Sequence, residues 1–188
     1  MKKVLVSIFS LAMVLSLSHP AEGQTGSNSL NDQLIAAAKA GDTLTVQQLL
    51  AKGANIEAKG GSLGSTALIW AARYGKTDVV KLLLAKGANI EAREIDGQTV
   101  LIGAAMRSHT EVVKLLLDNG ANFDAKDDYG VTALIQAAVN GRIENVKLLL
   151  DKGANIEARN NAGQTALNIA ELAGKTDVAK LLQEKGAR

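Results

Sequence analysis

Two short segments carry the residue types of a phosphate-binding loop. Gly75-Lys76-Thr77 and Gly174-Lys175-Thr176 reproduce its Gly-Lys-Thr end, where backbone amides and the lysine hold the phosphates of a nucleotide. The motif also requires an earlier glycine, and that position is occupied by Trp70 in one segment and Ile169 in the other. The sequence therefore predicts no nucleotide site at either place.

Metal and nucleophile chemistry have few residues to draw on. The chain has no Cys and two His, which excludes disulfides, thiolate nucleophiles and Cys-ligated metals. Asp124, Asp127 and Asp128 lie close together but lack the alternate spacing and the glycine of a calcium loop, so we interpret them as a solvated hairpin tip. We interpret His109 as structural. We expect no catalytic residue, no cofactor and no metal ion.

Composition and charge exclude two classes of partner. The chain has 188 residues, of which 47% are apolar and 21% charged, as expected of one globular domain. Lys and Arg number 21 against 19 Asp and Glu, so the net charge is +2. Such a small charge creates no bulk field that would attract a nucleic acid or an anionic membrane. We expect neither as a partner.

The first residues are typical of an export signal. Lys2 and Lys3 precede an apolar stretch over 4–17, which is shorter than the about 20 residues that a membrane-spanning helix needs. Because Ala21 and Gly23 are small, we expect residues 1–23 to be a signal peptide cleaved after Gly23. The alternative is an uncleaved membrane anchor. Residues 24–30 are predicted to be a flexible leader, and the protein to be periplasmic or secreted.

The rest of the chain repeats with a period of 33 residues. Each unit opens with Thr, continues through a short Ala-rich helix to a turn, and enters a Leu-rich helix that ends at a glycine able to adopt a left-handed conformation. An extended segment then turns back to the next unit. This pattern predicts an all-α solenoid of stacked helix-turn-helix units joined by β-hairpin-like loops. The opening threonines are Thr66, Thr99, Thr132 and Thr165, and the inter-helix turns lie at Gly75, Ser108, Gly141 and Gly174.

These units resemble the ankyrin repeat. The resemblance rests on Asp-Gly-Gln-Thr-Val-Leu-Ile-Gly-Ala-Ala from Asp96, Val-Val-Lys-Leu-Leu-Leu from Val112 and Asn-Gly-Ala-Asn from Asn119. It covers residues 31–188, divided into repeats at 31–59, 60–93, 94–126, 127–159 and 160–188, of which the first and last are polar caps. The family's Pro after Thr is replaced at Ala67, Val100, Ala133 and Ala166, and its His at Ile69, Ile102, Ile135 and Asn168. We expect the Ile side chains to substitute packing for the hydrogen bond of that His.

Comparison of the units separates the scaffold from the free surface. Residues identical in all four units predict a shared core: Leu68, Leu101, Leu134 and Leu167, with Ala71, Ala104, Ala137 and Ala170, and Leu83, Leu116, Leu149 and Leu182. A lysine recurs on the Leu-rich helix at Lys81, Lys114, Lys147 and Lys180. We interpret this lysine row as a solvated convex face.

Variable positions lie before the inter-helix turns and at the hairpin tips. In the ankyrin family these positions line a concave groove, so the resemblance implies a protein-binding surface there. The candidate residues are Trp70, Arg73, Tyr74, Ile95, Asp96, Met106, Arg107, Asp128, Tyr129 and Asn140. Several are of the types that dominate binding hot spots. For Trp70, core packing is an equal alternative, and the whole surface could instead have no dedicated ligand.

The resemblance implies a monomeric interaction module that binds another protein, not an enzyme. Within that class the chain could be an inhibitor or immunity-type protein acting on a secreted or periplasm-delivered enzyme. A carboxylate-based hydrolase and a purely structural or small-ligand role are the remaining alternatives. A hydrolase would need two acidic side chains that face one cleft.

Overall fold

The computed structural model describes residues 29–188, so the predicted signal peptide and nearly all of the predicted leader lie outside it. Ten helices are present in the described part, arranged as five antiparallel pairs. The first helices of the pairs are α1 (Leu30–Ala40), α3 (Ala67–Arg73), α5 (Val100–Ala105), α7 (Ala133–Val139) and α9 (Ala166–Leu172). The second helices are α2 (Thr43–Ala51), α4 (Thr77–Ala85), α6 (Thr110–Asp118), α8 (Ile143–Asp151) and α10 (Thr176–Glu184).

The pairs stack into two parallel rows of helices. Each first helix packs against the first helix of the next pair, and the second helices form a similar row behind them. The core lies within and between the pairs and contains the predicted Leu and Ala residues, with Leu83, Leu116, Leu149 and Leu182 all at 0% exposure. The predicted all-α solenoid of stacked helix-turn-helix units is thus confirmed. No helix of the described residues has the length and apolar character needed to cross a membrane.

A threonine caps the N-terminus of each of α3, α5, α7 and α9, as predicted. Thr66, Thr99 and Thr132 accept the backbone N–H of Ile69, Ile102 and Ile135 through their hydroxyls. Those isoleucines are buried, each with 1% exposure, which confirms that packing takes the place of a histidine hydrogen bond. In the last repeat Asn168 restores a polar link, because its Oδ1 accepts from both the backbone N–H and the hydroxyl of Thr165 at 3.1 Å.

Acidic side chains join each loop to the next one. Four carboxylates each accept a backbone N–H from the loop of the next repeat. Hydrogen bonds to an ionised acceptor are stronger than those between neutral groups. The pairs are Glu57 with Asn89, Glu91 with Asn122, Asp124 with Asn155 and Glu157 with Arg188, at 2.7–2.9 Å. Asp124 and Asp128 are exposed, as the interpretation of a solvated tip predicts, and Asp124 adds this link to the next loop. Asp127 is half-buried, because its Oδ1 accepts the N–H of Tyr129 and of Val131.

Candidate functional site

The ten candidate residues lie on two features of the fold. Trp70, Arg73, Tyr74, Met106, Arg107 and Asn140 occupy the C-terminal ends of α3, α5 and α7, and Ile95, Asp96, Asp128 and Tyr129 occupy two hairpin tips. We call the C-terminal ends of α1, α3, α5 and α7, together with the tips, the candidate surface. The first helices are positioned by their buried Leu and Ala faces, so their remaining side chains point away from the second helices.

Trp70 and Tyr74 form an aromatic pair one helical turn apart on α3. Their ring centroids are 5.7 Å apart and the ring planes are tilted by 34°. The ammonium group of Lys39, from the preceding repeat, lies 4.8 Å from the centroid of Trp70 and 5.3 Å from that of Tyr74. A cation at this distance from a ring face is attracted by the ring quadrupole. We call Lys39, Trp70 and Tyr74 the aromatic cluster.

The exposure of Trp70 bears on the two roles considered for it. Its side chain is half-buried, whereas Tyr74 is exposed to 41%. The equivalent residue of the next unit is Gly103, which is buried beneath the guanidinium of Arg73. Because Arg73 fills that space, the position accepts a residue as small as glycine. Trp70 therefore lies at the rim of the core, with part of its ring on the candidate surface.

Arg73 is engaged within the molecule. Its Nη2 forms an ion pair with Glu94 at 2.5 Å and donates to Oε1 of Gln98 at 2.8 Å. The side chain of Glu94 is 1% exposed and also accepts the hydroxyl of Ser65. A buried carboxylate needs such partners, because water no longer solvates it. Arg73 thus ties α3 to the following hairpin, and its Nε lies buried without a partner.

The hairpin tips are joined by backbone hydrogen bonds. The N–H groups of Ile95, Asp128 and Asn161 donate to the carbonyls of Leu63, Asp96 and Tyr129 at 2.9–3.0 Å. These bonds hold the tips in a row and leave two large apolar side chains outside. Ile95 is exposed to 68% and Tyr129 to 66%. The carboxylate of Asp96 accepts the N–H of Gln98, whereas Asp128 is exposed at the tip.

Met106 and Arg107 lie in a turn that differs from the others. Ser108 replaces the glycine, and the turn has no residue with a positive φ. Side chains of the next repeat bind the carbonyls of this turn instead. Asn145 donates through Nδ2 to the carbonyls of Ala105 and Arg107 at 3.2 and 2.7 Å. Arg142 donates through Nε to the carbonyl of Met106 at 3.1 Å and through Nη1 to the Ser108 hydroxyl at 3.2 Å. The side chain of Met106 is half-buried and that of Arg107 exposed.

Asn140 closes the C-terminus of α7. Its Nδ2 donates to the carbonyl of Gln136 at 2.8 Å, and the side chain is half-buried. That bond satisfies one of the carbonyls left free at a helix end. Of the ten candidates, Asn140 and Arg73 thus use their side-chain donors within the chain.

His109 packs against the turn of the preceding repeat. Its imidazole approaches Gly75 so closely that a Cβ on that residue would collide with the ring, and the φ of +68° at Gly75 also favours glycine. Burial, together with the positive charges of Arg107, Lys76 and Arg142, holds the pKa of His109 below its usual 6.5. These contacts agree with a structural role.

Lys39 is the residue that the sequence comparison missed. It occupies the same place in the first repeat as Arg73 and Met106 in the second and third. The ten candidates all lie in the second, third and fourth repeats. The equivalent position of the first repeat is residue 39, so including that repeat identifies Lys39 as well.

Four open clefts lie along the inter-helix turns, and none offers paired acidic groups. The largest has a volume of about 350 Å³ and contains a single carboxylate, that of Asp177. The other three are lined by one acidic residue each: Glu171, Asp78 and Glu144. Hydrolysis by two carboxylates needs both of them in one cleft. Residues 29–188 also bring together no group of three His, Cys, Asp or Glu residues suited to a metal ion.

One family model matches almost the whole chain. Its description is "Ankyrin repeats (3 copies)", and its overlapping matches cover residues 11–94, 33–127, 91–160 and 124–188. No curated protein matches the chain significantly.

Proposed function

Because this chain belongs to the ankyrin repeat family and is thus a protein–protein interaction module, we propose that it binds a partner protein through the candidate surface. The surface corresponds to the concave groove and hairpin tips that the family resemblance implies. Families of this kind are generally not enzymes, and the proposal assigns the chain no catalytic step.

The exposure of large apolar side chains is the observation that carries the proposal. Ile95, Tyr129 and Tyr74 are exposed to 68%, 66% and 41%, and the half-buried ring of Trp70 lies beside that of Tyr74 on α3. Leaving such groups in water forgoes the free energy of burial, about 1.5–3 kcal/mol for a large side chain. Tyr, Trp and Arg are also the types that most often dominate binding energy. A partner that covers this surface would recover that free energy.

A pair of substitutions tests the surface. Tyr74→Ala combined with Arg107→Ala should weaken the complex by more than about 2 kcal/mol. The fold should stay intact, because both side chains are exposed. The partner is first obtained by crosslinking in the native compartment with mass spectrometry, and its affinity is then measured by titration calorimetry.

Lys81→Ala combined with Lys147→Ala is the matched control on the second helices. Both side chains are exposed, and back-face charges contribute mainly to the rate of encounter. Binding that survives the first pair but is lost with the lysine pair would move the site to the convex face. If the captured partner is a secreted enzyme whose activity falls in the complex, the chain is its inhibitor.

We further propose that the protein is exported and acts in the periplasm or outside the cell. The support is the basic, apolar and small-residue order of residues 1–23. Intact mass of protein isolated from its own host should correspond to a chain that begins at Gln24. A full-length mass in the membrane fraction would contradict export with cleavage.

A further inference from the structure

Acidic residues are distributed unevenly between the two rows of helices. The three middle first helices, α3, α5 and α7, contain no Asp or Glu. Each of the four second helices from α4 to α10 carries an acidic residue in its first turn: Asp78, Glu111, Glu144 and Asp177. The loops after the second helices carry the carboxylates that bind the next loop. The row of first helices is therefore poor in negative charge.

Two cations on the candidate surface have no carboxylate partner among residues 29–188. Lys39 contacts only the two aromatic rings, and the guanidinium of Arg107 is exposed. Glu94 is already neutralised by Arg73 and is buried. The remaining carboxylates of this surface, those of Asp96 and Asp128, lie out at the hairpin tips.

A row of exposed basic residues at the base of the hairpins adds to this charge. Each donates to the backbone carbonyl of its equivalent in the next repeat: Lys59 to Arg93, Arg93 to Lys126, and Lys126 to Arg159, at 2.8–3.1 Å. A carbonyl is neutral, so these bonds fix the side chains without cancelling their charge. The helix-end part of the candidate surface, around Lys39, Trp70 and Arg107, thus combines apolar contacts with positive charge that no carboxylate among residues 29–188 pairs with.

We propose that the partner presents an acidic segment with an apolar side chain at its centre, the apolar group lying on Trp70 and Tyr74 and the flanking carboxylates pairing with Lys39 and Arg107. This inference rests on the proposed function and adds the chemistry of the partner. Electrostatic complementarity of this kind selects the partner and speeds its encounter.

The fold sets the spacing of the acidic groups. Lys39 and Arg107 belong to the first and third repeats, and the α3 rings lie between them. Neighbouring packed helices lie about 8–10 Å apart, so the two cations are separated by two such steps. An extended peptide covers about 3.3 Å per residue, which places the two carboxylates about five or six residues apart. Lys39 is already held over the rings, so little freedom is lost when it pairs with a carboxylate.

The single tryptophan of the chain makes the test direct. Trp70 is the only Trp, so its emission reports events at the aromatic cluster. The probe is a short synthetic peptide with a central Leu and three Glu on each side, which offers carboxylates five and six residues apart, without aromatic residues, titrated into the purified protein. Matched probes replace Glu by Lys, or Leu by Ser. We expect the acidic Leu peptide to change the emission at lower concentration than either control, and its affinity to fall as salt rises.

Charge variants identify the groups responsible. Lys39→Gln with Arg107→Gln should weaken the acidic peptide by about tenfold, whereas Lys81→Gln with Lys147→Gln should leave it unchanged. Lys39→Glu with Arg107→Glu should reverse the preference in favour of the Lys peptide. Equal binding of acidic and basic peptides overturns the proposal. So does the absence of any emission change, or full affinity in the Gln pair.

The natural partner separates this inference from the proposed function. A photoreactive amino acid at position 106 crosslinks whatever covers the candidate surface, and mass spectrometry identifies the crosslinked segment. An acidic segment with an apolar centre supports both proposals. A neutral or basic segment captured there leaves the proposed function standing and overturns the acidic partner. A matched photoreactive amino acid at position 81 reports on the second helices, and a partner crosslinked from position 81 but not from position 106 overturns the proposed function itself.

Discussion

Lys39, Arg73 and Met106 occupy equivalent positions in three successive repeats, yet their side chains behave differently. Lys39 lies over two aromatic rings, Arg73 is buried against Glu94, and Met106 is half-buried beside a turn held by Arg142. Each environment is set by the neighbouring repeat: the next unit offers rings to Lys39 and a carboxylate to Arg73. The role of a residue at this position therefore depends on the unit that follows.

His109 makes stability depend on pH in a defined direction. Its pKa is lowered in the folded protein by burial and by Arg107, Lys76 and Arg142, so the unfolded chain takes up the proton first. As pH falls below the ordinary 6.5, the free energy of unfolding decreases until the lower folded pKa is reached, and then stays constant. Urea melts between about pH 8 and 5 should show this loss, and His109→Gln should remove it.

Two carboxylates act in a different pH range and serve as the internal comparison. The pKa of Asp42 is lowered by hydrogen bonds from Thr45, and that of Asp118 by its bond to Lys152. Their stabilisation is present above the usual 3.8 and is lost as pH falls further. Wild-type and His109→Gln curves that run parallel above pH 5 would contradict the assignment to His109.

At the scale of the helices, α5 is the irregular element. It has six residues, against seven for α3, α7 and α9. In the second repeat the Gly75 N–H donates to the carbonyl of Ala72. The equivalent carbonyl of Ala105 instead receives Asn145, where the second, third and fifth repeats have valine. Ser108 and Asn145 thus belong together, although they lie in different repeats.

Asn145→Val should destabilise the protein although valine is the residue of the second, third and fifth repeats. It leaves the carbonyls of Ala105 and Arg107 without their donor, which costs about 1–3 kcal/mol. It also removes the unpaired Oδ1 of Asn145, which offsets part of that loss. With Ser108→Gly in the same chain, a regular turn can supply the donor, so the cost should shrink. Urea melts of the two single variants and the double variant measure this coupling. Additive effects would show that the two positions are independent.

The elements that the sequence predicted correctly depend on contacts within one repeat. The hydroxyl of Thr66 caps the helix that follows it, and Leu83 is buried at a position that the periodicity of its own helix predicts. The Arg73–Glu94 pair and the Asn145 bond to Ala105 join residues 21 and 40 positions apart. Comparison of the repeats shows Ser108 at a turn where the neighbouring units have glycine, but gives no reason to connect it with Asn145. Five of the ten variable positions are exposed, namely Tyr74, Ile95, Arg107, Asp128 and Tyr129. The engagement of Arg73 by Glu94 could be known only with its partner in place.

For the molecule as a whole, stability should be distributed along the solenoid. Leu116 and Leu182 are both at 0% exposure, but α6 packs between α4 and α8, whereas among the described helices α10 has only α8 beside it in that row. In a stacked array each repeat depends on its neighbours. Leu116→Ala should therefore cost about 2–5 kcal/mol of global stability, whereas Leu182→Ala should open mainly the last repeat.

Native-state hydrogen exchange distinguishes these outcomes. Leu182→Ala should reduce amide protection in 160–188 and leave α3 to α6 protected. Leu116→Ala should reduce it on both sides of the third repeat. Lys114→Ala, at an exposed position of the same helix, should change stability by about 0.5 kcal/mol or less. Uniform loss of protection in the Leu182 variant would indicate a single cooperative unit.

The carboxylate links between loops have a consequence for how such a chain can evolve in length. Glu57, Glu91 and Asp124 offer the same acceptor to the same backbone donor of the following unit. Where two units are joined mainly by this common link, recombination could insert or delete a whole unit, because each backbone N–H would still find a carboxylate acceptor. The junctions held by Arg73 with Glu94 and by Asn145 with Ala105 are specific to their partners. Lys39 likewise ties the first repeat to the rings of the second. We therefore expect length to change most readily at the junction of the fourth and fifth repeats, and the first four to be inherited together.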